Sequence, residues 1–153
     1  MPHLVILYTG QLDREANMTL LCRSLADSML KVVDENNSKV FPEGGVRVFA
    51  YPAPHYAVSD GGLAGAAAHL FDGNPNGGSS DYAFVYLNLR MGKGRSEIAI
   101  QNAGRALDAA TKKFFEPIMV KRHIGITLQV DVGPEVFDSK NSNIHPLFKK
   151  DKS

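Results

Sequence analysis

Met1-Pro2 opens the chain, and the strand-like run His3-Leu4-Val5-Ile6-Leu7-Tyr8 follows directly. A small second residue lets the initiator methionine be trimmed, leaving proline's secondary amine as a free terminus that can take up and release protons. An α-amino group titrates near ~7.7–8.0, and proline's lies higher. Burial among apolar groups and cations disfavours the charged form and lowers the value. A neutral base at physiological pH can result where a strand entering the core draws the terminus into a cleft instead of leaving it to fray; the other reading is a processed terminus with no chemical role. If Met1 is retained, the same nitrogen is an amide with no useful basicity.

Two arginines have the surroundings to hold an anion near such a base. Gly92-Lys93-Gly94-Arg95 lies between a strand and a helix start, where flexible backbone and unpaired helix N–H groups can receive an anion. Arg95 adds a bidentate fork for a carboxylate; the alternative is a turn with a solvated arginine. The spacing matches neither the phosphate-binding loop nor the dinucleotide fingerprint. Arg47 interrupts the apolar run Val46–Tyr51, where a cation is costly unless it is paired or points into a polar cleft. A salt bridge, within or between subunits, is the other reading. His3, His55, His69, His123 and His145 show no metal-ligand spacing, and no Gly-x-Ser-x-Gly elbow marks a nucleophile. No metal and no organic cofactor is expected. Whether His3 or His145 takes part is left open by the sequence.

The elements that must position these residues follow from periodicity. Residues 3–9 read as a buried strand ended by Gly10. Leu21, Leu25, Met29 and Val32 or Val33 mark an amphipathic helix over about 16–34, with 34–38 as its exit loop. Phe41–Gly45 is a turn, and the strand Val46–Tyr51 is expected to end or bend at Pro52 and Pro54. Residues 60–80 form a Gly- and Pro-rich excursion around a helix-compatible stretch, Leu63–Phe71. A strand over 82–90, a helix capped by Ser96 with Ile98, Ala103, Leu107, Ala110, Phe114 and Ile118 on one face, and a strand over 124–130 complete the pattern. Pro117 should kink or shorten the last helical turn.

The predicted architecture is therefore α+β: a doubled β-α-β unit, with a four-stranded mixed sheet and two long helices on one face. The 153 residues fit a single domain, with halves at about 2–59 and 81–133. The strands are nearly continuous in apolar residues, so the uncovered face is expected to meet partner subunits.

With 17 basic and 16 acidic residues, the chain lacks the excess positive charge of a nucleic-acid or membrane-surface protein. Cys22 is the only cysteine, which precludes an internal disulfide and reads as core packing. No signal peptide and no membrane span is apparent. A cytoplasmic protein is expected, and the tail after Phe148 reads as solvated.

Taken together, these features resemble the tautomerase superfamily, and most closely the 5-carboxymethyl-2-hydroxymuconate isomerase group. The likeness rests on Met1-Pro2-His3, Phe41-Pro42 with Gly45-Val46-Arg47, Asp81–Val85 leading to Gly92-Lys93-Gly94-Arg95-Ser96, and Asn143–Phe148. It implies a homotrimer in which Pro2 shuttles a proton while Arg47 and Arg95 hold carboxylates of a dienol substrate. Residues 52–80 depart from the pattern, which bears on the substrate. The alternatives are a related tautomerase or hydratase acting on another enol or halo-acid, and a non-catalytic trimeric binding module.

Overall fold

Period-two alternation sets the first strand. In β1 (His3–Thr9) the side chains of Leu4, Ile6 and Tyr8 are buried, while His3 and Leu7 face outward. The computed structural model describes residues 2–64, 82–133, 137, 139 and 144–148. After β1 the chain makes a 3-10 turn and enters α1 (Met18–Leu30), where the Asn17 side chain caps the backbone N–H of Leu20 at 2.9 Å. Met18, Leu21, Leu25 and Met29 form its buried stripe. The helix stops four residues short of the expected end. Asp34 takes over there, its Oδ1 accepting the N–H groups of Asn36 and Ser38 around Asn37 at φ 60°.

The second strand, β2 (Arg47–Ala53), corrects another expectation, because it runs through Pro52. β2 is an edge strand, and an edge tolerates the missing N–H of proline. Then come β3 (Ala83–Gly92), α2 (Glu97–Met119) and β4 (Ile124–Gly133). Ser96 caps α2 as expected, its Oγ accepting from the N–H of Ala99 at 3.2 Å. The buried stripe of α2 is Ala99, Ala103, Leu107, Thr111 and Phe115, so it is rotated from the expected face and leaves Ile98 52% exposed. Thr111 can be buried because its hydroxyl donates to the Leu107 carbonyl at 2.7 Å. Pro117 falls within the final turn, two residues before the helix ends. Beyond Ala64, the helix-compatible stretch to Phe71 lies outside the described residues.

The sheet order is β2-β1-β3-β4. β1 and β2 are parallel, β3 and β4 are parallel, and β1 and β3 run antiparallel. This is the doubled β-α-β plan. Leu4 and Ile6 of β1, Leu87 and Leu89 of β3, Leu21 and Leu25 of α1, and Leu107 and Phe115 of α2 share one core. Leu87 is fully buried at its centre. Leu87→Ala should therefore cost about 2–5 kcal/mol of stability, read as a lower urea midpoint.

Tyr8 adds a polar tie to this core. Its hydroxyl donates to Asp13 Oδ1 at 2.5 Å, and burial, reinforced by the Asp13 carboxylate, pushes the phenol up to about 12. A raised folded-state value means that the protonated phenol is favoured by folding. The associated stability is complete below the ordinary tyrosine range and is lost as pH climbs towards 12. In Tyr8→Phe that alkaline component of the melting curve should vanish.

Among the described residues, the opposite face of the sheet exposes large apolar side chains. Leu7, Phe49, Tyr51 and Phe84 are 46%, 41%, 52% and 38% exposed there.

Candidate active site

The antiparallel pairing of β1 with β3 gathers the sequence's candidates at one end of the sheet. Pro2 immediately precedes β1, Arg47 opens β2, and β3 finishes at Gly92 shortly before Arg95. In the sheet register His3 is the partner of Arg47 on one side and of Arg90 on the other. Residues 44 and 87 apart in sequence are therefore brought side by side by the strand pairing.

Pro2 is buried. It lies near the 3-10 turn Glu43–Gly45: a methyl group on Gly45 would clash with Pro42 Cγ at 2.8 Å and come within ordinary contact, 3.8 Å, of Pro2 Cδ. A residue with a side chain at 45 would push into Pro42. On the neighbouring Gly44, a methyl group would meet Cδ2 of Phe148 at 2.8 Å, which places the C-terminal 3-10 turn, His145–Phe148, over this end.

Arg47 is half-buried and held by its own turn: Nη1 donates to the carbonyls of Gly44 and Val46, each at 2.9 Å. It forms no salt bridge among the described residues. Its remaining donors are uncommitted there. Arg95 lies over the ring of the buried Phe41, with Cζ 5.4 Å from the ring centroid, and Nη1 donates to the Gly92 carbonyl at 3.1 Å. Its Nε is buried and lacks a hydrogen-bond partner. A donor orphaned in this way is costly unless a ligand supplies the acceptor. A carboxylate is the natural complement of such a fork.

Neighbouring residues fix the loop that carries Arg95. Ser96 Oγ donates to Glu35 Oε2 at 2.5 Å, and Asn102 Nδ2 donates to the Val33 carbonyl at 2.9 Å. Both ties run to the exit of α1, and Gly94 takes φ 101°, which glycine accepts readily. Phe41, Glu35 and Arg90 were not singled out as site residues by sequence reasoning. Arg90 had a signal, since it sits on the outward phase of the alternating strand; Glu35 had none, because its partner is 61 residues away.

His3 is exposed, and its ring stacks on Phe49 with centroids 6.4 Å apart. Its pKa is lowered, first by desolvation and then by the positive charges of the chain start and Arg47. Cys22, by contrast, has its thiol pushed up by burial, which suits packing. Two concavities, of about 650 and 580 Å³, are lined by groups including Tyr8, Asp13 and Cys22 in one and Tyr82, Phe84 and His123 in the other. They open at the far end of the sheet and contain neither Pro2 nor either arginine of the pair.

With that geometry in place, comparison with known proteins is decisive. The family model described as 5-carboxymethyl-2-hydroxymuconate isomerase matches residues 2–148. The chain belongs to this isomerase family. A 5-carboxymethyl-2-hydroxymuconate Delta-isomerase from Escherichia coli is 24% identical over 149 residues, spanning 97% of this chain and 100% of that protein. A crystal structure of a 5-carboxymethyl-2-hydroxymuconate delta-isomerase is 52% identical, covers 100% of this chain and 96% of its own, and superposes with a TM-score of 0.90. The 5-carboxymethyl-2-hydroxymuconate isomerase from Deinococcus radiodurans R1 gives 30% identity, 97% and 95% coverage, and a TM-score of 0.74. This chain is accordingly an isomerase that shares the fold of its family.

Proposed function

We propose that the chain ketonises 5-carboxymethyl-2-hydroxymuconate, with the free nitrogen of Pro2 as the proton shuttle and Arg47 and Arg95 as carboxylate clamps. The observation that supports this reading is the orphaned Nε of Arg95, at the same end of the sheet as Arg47 and the buried Pro2. The reaction is an isomerisation, so atoms are conserved. The 2-hydroxyl O–H bond breaks as Pro2 takes the proton, the electron pair moves through the diene, and the proton is delivered to a distant carbon. The product is the conjugated 2-oxo acid. The cations favour negative charge collecting on the oxygen in the intermediate, and they hold the dienol in one orientation to the amine.

The same reading takes the functional unit to be a homotrimer of single-domain chains, with the exposed Leu7, Phe49, Tyr51 and Phe84 face packed against neighbouring copies. An apolar face of this kind is characteristic of an interaction surface. It also takes the protein to act in the cytoplasm, in the breakdown of aromatic compounds. Among the described residues, no helix is long and apolar enough to cross a membrane. The proposal requires loss of Met1, so intact mass of cell-made protein and turnover of the dienol, followed by ultraviolet absorbance, test it together. Retention of Met1 in fully active protein would contradict it.

A further inference from the structure

Two arginines flank a histidine across the uncovered face at the Pro2 end. Arg47, His3 and Arg90 are direct neighbours across β2, β1 and β3, and Asp131 of β4 is the register partner of Arg90. Side chains paired this way stand on the same face about 5 Å apart at their Cβ atoms, and like charges so placed repel. The acidic neighbour Asp131 forms no ion pair with Arg90; its Oδ2 accepts from Asn88 Nδ2 at 2.8 Å. Arg90 forms no ion pair among the described residues and is exposed. Two outward-facing arginines flanking a histidine make a surface that an anion would stabilise.

The substrate named above has more charge than the Arg47 and Arg95 clamps account for. Muconate is a dicarboxylate, and its carboxymethyl substituent adds another carboxylate. We propose that Arg90, with His3 beside it, receives that additional carboxylate and so determines the preference for a tricarboxylate over a dicarboxylate dienol. This rests on the ketonisation reading. The strand geometry favours the assignment, since Arg90 projects from β3 five residues before Arg95 and lies in register with the residue that follows Pro2. The assignment requires one substrate anchored at the Pro2 end to span both arginines.

The test compares 5-carboxymethyl-2-hydroxymuconate with the dicarboxylate 2-hydroxymuconate in wild-type protein and in Arg90→Gln and Arg90→Lys. Losing a charge-assisted hydrogen bond should reduce the ratio of the two kcat/KM values by roughly 10- to 100-fold in Arg90→Gln. The change should lie mostly in KM for the tricarboxylate. Arg90→Lys, which keeps the charge without the fork, should fall between wild type and Arg90→Gln. An equal loss on both substrates, as misfolding or failed assembly would give, or an unchanged ratio, would overturn the assignment of Arg90 while leaving the role of Pro2 standing. Wild-type protein that turns over neither dienol would overturn the function itself and this inference with it.

Discussion

Protein whose Pro2 nitrogen is locked in a peptide bond, by an uncleaved residue ahead of it, should lose about 10²–10⁴-fold in kcat, the usual contribution of a positioned general acid–base. Folding should be unaffected, because the core of Leu4, Ile6, Leu87 and Leu107 lies beyond this residue. The comparison is clean: the side chain persists while the nitrogen's basicity is removed. Steady-state turnover of the locked and trimmed forms, with circular dichroism to check the fold, reads the result. A non-catalytic binding module would show no difference between them.

Removal of either arginine's charge should produce the next largest effect. Arg95→Gln deletes a guanidinium seated over Phe41, and Arg47→Gln deletes one anchored to Gly44 and Val46. Each should lower kcat/KM by roughly 10- to 100-fold, the equivalent of a charge-assisted hydrogen bond. A second signature separates this account from simple weakening of binding. A cation near the Pro2 amine disfavours its protonation, so removing one lets the proton bind more tightly. The acid limb of the pH–rate profile should therefore move to higher pH in both variants. Variants that lose activity with the limb unmoved would show that the arginines act away from the amine.

Much of this was legible in the sequence where the chemistry is local. β1 follows from six consecutive strand-forming residues, and Ser96 announces the start of α2 because a cap needs only its own side chain and an N–H three residues on. The two parallel pairs were legible too, but the antiparallel pairing of β1 with β3, which puts Pro2, Arg47 and Arg95 at one end of the sheet, was not. The misses have tertiary causes. Pro52 stays within β2 because that strand is at an edge, which strand alternation alone does not reveal. The stripe of α2 is rotated because Thr111 satisfies its hydroxyl on the helix backbone and can be buried like an apolar residue. Glu35 reaches Ser96 across 61 residues, and Phe41 lies beneath Arg95 from a different loop. Long-range pairings of this kind leave no periodic mark in a single sequence.

The central claim concerns the proton affinity of one nitrogen, and it can be measured directly. Nitrogen-15 labelling of proline and NMR titration of the trimmed protein would give the pKa of Pro2, to be set beside the acid limb of kcat/KM. The expected result is a value below that of an unburied N-terminal proline, coincident with the limb in wild type and rising with it in Arg47→Gln and Arg95→Gln. A Pro2 nitrogen that titrates as in a short peptide, or whose pKa is unrelated to the limb, would contradict the account.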